Sequence, residues 1–209
     1  MNNKKLLFLS ILLCLLPILL GAVMYDQLPA QVPIHFDMAG IPDNYASKGF
    51  AVFGLPLLMT AFHILLHWAI RNDKAMAAAS PAAILAITYW IIPILCNVLM
   101  PITLFIAMGI EVPIALITSV MMGIVFVIIG NYLPKCKPNR HMGIKLPWTF
   151  ASEENWRRTH RFGGFVFVAA GIATLIAGIF RIDWLLLTAL FGAILLPIVY
   201  SWLLSRKNI

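Results

Sequence analysis

The chain has 209 residues, 62% of them hydrophobic and only 11% charged, with a mean hydropathy of +0.94. Apolar content spread along the whole length excludes a soluble globular domain and implies an integral membrane protein. The formal net charge of +7 does not argue for direct nucleic-acid binding, because membrane proteins gather Lys and Arg in their cytoplasmic loops.

Leu6 to Tyr25 is the first apolar run. About 20 residues at a rise of 1.5 Å reach across a hydrocarbon core of roughly 30 Å. Lys4 and Lys5 stand in front of it like the start of a signal peptide. The run is long for such a peptide, however, and Gly21-Ala22-Val23-Met24 is a poor cleavage site. Leu13 before Cys14 is too bulky for a lipoprotein-type site. An uncleaved helix is expected.

The loop 26–49 follows. Pro29, Pro33 and Pro42, with Gly40 and Gly49, forbid a regular helix through it. Gln31 to Asp37 reads as a short extended piece, with turns around Ala39-Gly40 and Pro42-Asp43. Asp26, Asp37 and Asp43 outweigh Lys48, so the loop is net acidic.

Phe50 to Ile70 is the second span, ending at Arg71, Asp73 and Lys74. Ser80 is placed to cap the next helix, with Pro81 at its first position, and the third span runs from Pro81 to Met108. A tight turn at 109–113 leads into the fourth span, Pro113 to Leu133. The fifth span is Phe162 to Phe180, Arg181-Ile182-Asp183 a turn, and Trp184 to Leu204 the sixth. The expected fold is therefore an all-α polytopic membrane protein of six transmembrane helices, with modules 1–74 (two helices and the acidic loop) and 75–209 (four helices).

Between the fourth and fifth spans lies the basic loop 134–161. The stretch 135–164 holds Lys135, Lys137, Arg140, Lys145, Arg157, Arg158 and Arg161, seven of the fifteen basic residues, against Glu153 and Glu154. With the N-terminus inside, 13 basic residues face inward and only Lys48 and Arg181 outward. The positive-inside bias then gives both termini and this loop a cytoplasmic location and places loop 26–49 outside.

Ala169, Ala173 and Ala177 recur every fourth residue, and Gly164, Gly171 and Gly178 every seventh. Such stripes let helices approach closely, so the fifth span is expected at the middle of its bundle. Pro17, Pro56, Pro93, Pro101 and Pro197 fall inside spans and are read as structural. Asn97 is expected to hydrogen-bond a neighbouring helix.

Chemistry is sparsely signalled. His63 and His67 share a helical face, but Ile64 stands where a zinc-protease helix has its glutamate. His67 is expected at the cytoplasmic interface and His63 against a neighbouring helix. Cys14, Cys96 and Cys136 form no pair suited to an exported disulfide, and Cys136 with His141 lacks the remaining ligands of a structural zinc site. No enzyme, cofactor or metal is expected. A small-solute transporter or channel is the alternative from a different class.

The basic loop has a defined local logic. Pro147 holds Leu146 extended. Ser152 caps a helix whose first turn carries Glu153 and Glu154 and whose later turns carry Arg157, Arg158 and Arg161, in keeping with the helix dipole. That helix is expected to run into the fifth span, with Trp156, His160 and Gly164 on one face. The arginines suit anionic lipid headgroups or a docked protein.

The stretch Gly143 to Gly164 resembles the SdpI family of bacterial membrane immunity proteins. The match rests on Gly143, Ile144, Lys145, Pro147, Trp148, Thr149, Glu153, Trp156, Arg161 and Phe162. The loop 26–49 is similar to the N-terminal domain of unknown function often joined to that family, in Leu28-Pro29, Val32-Pro33, His35-Phe36, Gly40, Pro42-Asp43 and Ser47-Lys48. The resemblance implies a multi-pass protein of the bacterial plasma membrane that protects against a secreted, membrane-active peptide toxin. It also implies a cytoplasmic face that holds a small helix-turn-helix repressor. The toxin-facing residues would be His35, Phe36, Asp37, Asp43, Tyr45 and Lys48. The partner-binding residues would be Gly143, Lys145, Pro147, Trp148, Thr149, Glu153, Trp156, Arg157, Arg161 and Phe162.

Overall fold

A computed structural model describes residues 3–72, 82–139 and 143–207. The expected Ser80 cap and Pro81 start, and Asp73, Lys74, Arg140 and His141, lie outside these residues.

Six helices among the described residues are long and apolar enough to cross a membrane. They are α1 (Asn3–Met24), α2 (Leu55–Asn72), α3 (Ala82–Ala107), α4 (Ile114–Tyr132), α6 (Glu153–Phe180) and α7 (Asp183–Arg206), with a short α5 (Pro147–Ala151) before α6. Their outward faces carry bare hydrocarbon and aromatic side chains, such as Phe8, Trp68, Phe165 and Trp184, each more than 60% exposed. A water-soluble fold would bury such a surface; in a bilayer it meets lipid.

The chain packs as two compact units. The first contains α1, the loop that follows it, α2 and α3. Its share of the third helix begins at Leu85. Asn97 hydrogen-bonds as expected, its Nδ2 donating to the Leu13 carbonyl of α1 at 2.7 Å and to Pro93 of its own helix at 2.8 Å. His63 reaches Ser10 of α1, with Nε2 2.8 Å from the hydroxyl oxygen. His67 is 1% exposed, and its ring stacks on Tyr89 of α3 with centroids 4.0 Å apart. Both imidazoles therefore work as packing groups between helices.

The loop 26–49 is more ordered than its prolines suggest. Strand β1 (Gln31–Phe36) pairs antiparallel with β2 (Pro42–Ser47). Pro42-Asp43 thus opens a strand, whereas the sequence reading placed a turn there. Pro42 fits because it begins the strand, where a missing N–H costs little. The turn itself lies at 37–41, closed by the Asp37 carboxylate accepting from Ile41 N–H at 2.8 Å and by Gly40 at φ 84°. Val32, fully buried, docks the hairpin on Leu28, Ala51, Val52 and Leu104.

The second unit is built around α6. Gly171 of α6 and Gly123 of α4 face one another so closely that a Cβ on either would lie 2.7–2.8 Å from the other's carbonyl oxygen. Gly164 and Gly130 repeat that reciprocal approach one heptad away, at 2.6–2.8 Å. On another side of α6, Ala170 packs against Ala189 and Ala193 of α7. The stripes read from sequence thus place α6 between α4 and α7.

Candidate functional site

The segment between α4 and α6 folds back on the first turns of α6. Leu146 is extended (φ −126°, ψ 152°), as Pro147 requires, and α5 begins at that proline. Thr149, 1% exposed, closes the turn. Its hydroxyl accepts from Leu146 N–H at 2.9 Å and has the carbonyls of Leu146 and Ile144 at 2.8 and 3.0 Å for its own proton. Ser152 caps α6 by accepting from Asn155 N–H at 3.2 Å.

One turn of α6 then holds two separate points of the incoming chain. The Trp156 indole N–H donates to the Cys136 carbonyl at 2.9 Å, and His160 Nε2 accepts from Ile144 N–H at 3.0 Å. Because Nε2 accepts, the ring is neutral with its proton on Nδ1, which donates to the Trp156 carbonyl at 2.8 Å. The two rings stack at 4.0 Å, and Phe150 leans on Trp156 at 5.5 Å. Gly143 has φ 112°, a conformation few residues other than glycine adopt, and a Cβ there would run into the His160 ring. Burial pushes the neighbouring Cys136 thiol up from its ordinary pKa.

A further polar cluster ties α6 to α7. Asn155 donates from Nδ2 to the Ser201 carbonyl at 3.1 Å, and its Oδ1 accepts from the Ser201 hydroxyl at 2.9 Å and the Thr159 hydroxyl at 3.0 Å. All three side chains are fully buried. None of them figured among the residues expected from sequence. The signal was nevertheless present: Asn155, Trp156, Thr159, His160, Gly163 and Gly164 follow helical i, i+3, i+4 spacing, and all are buried.

The expected partner-binding residues therefore divide. Thr149 and Trp156 are internal, Gly143 is a backbone device, and Phe162 stacks on Tyr200 of α7 at 4.4 Å. Trp148 is half-buried, with an indole N–H that lacks a partner among the described residues. Lys145, Pro147, Glu153, Arg157 and Arg161 are exposed. Arg157 and Arg158 both bond Glu154, at 2.7 and 2.5 Å.

In the hairpin, His35, Asp37, Asp43 and Tyr45 are exposed, and Phe36 and Lys48 are half-buried. His35 Nδ1 and the Asp43 carboxylate pair across the strands at 2.5 Å. Lys48 is a strut, donating to the Tyr25 carbonyl at 3.2 Å with its ammonium over the Tyr25 ring. No group of three or more His, Cys, Asp or Glu side chains suited to a metal ion occurs among the described residues.

Residues 135–201 match the SdpI/YfhL protein family; they contain the elbow that residues 143–161 form with Cys136. Residues 12–60, which contain the hairpin, match a domain of unknown function, DUF1648. The chain carries an SdpI/YfhL family segment behind a DUF1648 segment. Both resemblances read from the sequence stand. The chain is also similar to Immunity protein SdpI of Bacillus subtilis (strain 168), with 27% identity over 201 residues, covering 94% of this chain and 92% of that protein. No solved structure matches it. In the SdpI/YfhL segment, the matched residues thus include both the buried anchors of the elbow and its exposed cations.

Proposed function

We propose that this protein is a non-enzymatic membrane immunity protein that gives a bacterial cell resistance to a secreted, membrane-active peptide toxin. The observation that carries the reading is the similarity to Immunity protein SdpI, which runs through both segments and nearly the full length of both chains. The protein sits in the plasma membrane with both termini inside, because that orientation leaves only Lys48 and Arg181 of its basic residues outside. The hairpin then faces the toxin, presenting His35, Asp37, Asp43 and Tyr45. The elbow faces the cytoplasm, where Lys145, Arg157 and Arg161 meet anionic lipid and a helix-turn-helix repressor held at the membrane.

The test is survival. A toxin-sensitive bacterial strain expresses the protein from a neutral promoter and is titrated with a sporulation-delaying-type peptide toxin, beside Asp37→Ala and Arg161→Gln variants matched for membrane abundance. A killing curve shifted to higher toxin by the wild type is expected. Loss of the shift in Asp37→Ala assigns protection to the hairpin face. Equal killing with and without the wild-type protein overturns the immunity reading for that toxin class.

A further inference from the structure

The hairpin is a sheet of only two strands, and its two edges differ. Strand β1 carries the buried side, with Val32 and Pro33 packed inward, whereas Asp43, Asn44, Tyr45 and Ser47 of β2 are exposed. The backbone follows the same division. Lys48 N–H donates to the Ala30 carbonyl at 3.0 Å, Gln31 stands opposite Ser47, and Val32 stands opposite Ala46. Bonded and non-bonded pairs alternate along an antiparallel ladder. Val32 therefore shares its bonds with Ala46, while the N–H and C=O groups of Tyr45 and Ser47 point away from β1.

On β1 the outward edge is blunted, because Pro33 is buried and has no N–H to offer. On β2 it is open. The Tyr45 N–H donates to the Asn44 side chain, to Oδ1 at 2.8 Å. That leaves the Tyr45 carbonyl and the Ser47 N–H on either side of Ala46. One residue of an added strand running parallel to β2 can donate to the first and accept from the second. Strand addition of this kind is a general mode of peptide recognition.

Charge selects the occupant. Asp26, Asp37 and Asp43 are exposed, and so is Glu111, three residues beyond the Met108 that packs under the hairpin. The single lysine of loop 26–49 is turned inward: Lys48 is half-buried, with its ammonium over the Tyr25 ring. A second copy of the hairpin would set like charges against one another along the shared edge, whereas lysine or arginine side chains on an added strand would meet opposite ones. We propose that the outer edge of β2 binds an extended, cationic peptide segment by strand addition, with the Ser47 N–H and the Tyr45 carbonyl as its backbone partners. The inference rests on the reading of the hairpin as the toxin-facing side, and it names the kind of toxin segment that this side takes.

The probe is a fluorescein-labelled peptide of alternating lysine and valine. It is titrated by fluorescence anisotropy onto full-length protein in neutral phosphatidylcholine nanodiscs, with empty nanodiscs as the blank. Saturable binding is expected, weakened in Asp37→Asn/Asp43→Asn. Ser47→Pro and Ser47→Ala both lose the bond from Phe50 N–H to the Ser47 hydroxyl, but only proline also removes the outward N–H. Ser47→Pro should therefore bind about fivefold more weakly than Ser47→Ala, the effect of one backbone hydrogen bond. The same peptide N-methylated at every residue cannot donate, and its binding to the wild type should be lost whatever the variants do to folding. Absence of saturable binding, undiminished binding of the methylated peptide, or equal affinities for the two Ser47 variants overturns the proposal. So does a wild-type dimer that Ser47→Pro dissolves, which gives the edge to a second copy. The survival assay separates this from the immunity reading: protection without peptide binding overturns the edge alone, and peptide binding without protection overturns the immunity reading alone.

Discussion

The glycine pairs between α4 and α6 make a prediction whose sign can be worked from the structure. A Cβ at Gly171 would meet the Gly123 carbonyl oxygen at 2.7 Å, Val127 Cγ2 at 2.8 Å and the Val127 backbone nitrogen at 2.9 Å. Two of those three atoms are backbone, so no rotamer change relieves the clash and the helices must separate. Overpacking of this kind costs about 1–3 kcal/mol. Gly192 on α7 is the control, because a Cβ there meets only Leu196 Cδ1, at 3.8 Å. Replacing glycine by alanine inside a helix contributes about 0.8–1.0 kcal/mol of helix propensity at either position. That term cancels between the two variants. Gly171→Ala should therefore be less stable than Gly192→Ala by about 1–3 kcal/mol, with Gly192→Ala at or above wild-type stability. The assay is SDS-titrated unfolding in mixed micelles, followed by far-ultraviolet circular dichroism. Equal midpoints for the two variants would refute the close approach of α4 and α6.

Trp156→Phe keeps the stack on His160 but loses the bond to the Cys136 carbonyl, so it should cost about 1 kcal/mol and speed tryptic cleavage at the exposed Lys135. Asn155→Ala removes the acceptor of the Ser201 and Thr159 hydroxyls and should cost about 1–3 kcal/mol; a double-mutant cycle with Ser201→Ala in the same unfolding assay should show coupling of at least about 0.5 kcal/mol. Cys136, buried and with its thiol pKa raised, holds less thiolate at neutral pH than a free cysteine. In a Cys14→Ser/Cys96→Ser background it should react with maleimide more slowly when folded than when denatured, and faster as pH rises. Arg161→Gln, on an exposed face, should change stability by less than about 0.5 kcal/mol while weakening toxin resistance in the survival assay.

Hydrophobic length and punctuation made the spans legible. Each apolar run is bounded by charge, proline or glycine, and a segment that must satisfy its backbone in lipid has little choice but to be helical. The start of α6 was legible for a local reason, since Ser152 and the charge order along 153–161 depend only on neighbours in sequence. The hairpin was half legible. Proline and glycine marked where a helix could not run, but the pairing of 42–47 with 31–36 depends on Val32 docking into a core supplied partly by Leu104, far along the chain. The same limit applied to Asn155 with Ser201, because periodicity gives the face of a helix and not the helix opposite it. His67 shows the same limit: its place near a helix end was legible, and the Tyr89 ring that covers it was not.

The elbow combines these levels in one helix. Trp156 and His160 hold the incoming chain on one side of α6, while Arg157, Arg158 and Arg161 project from the other. At 1.5 Å per residue the 28 residues of α6 extend about 42 Å, against a hydrocarbon core of roughly 30 Å. The surplus of about 12 Å is close to the roughly 13.5 Å that the nine residues 153–161 span at the same rise. The arginines thus stand at the headgroup level on a continuous helix with no break between them and the bilayer interior. Any axial shift or tilt of α6 moves them directly, and the elbow moves with them because it is bonded to that same turn.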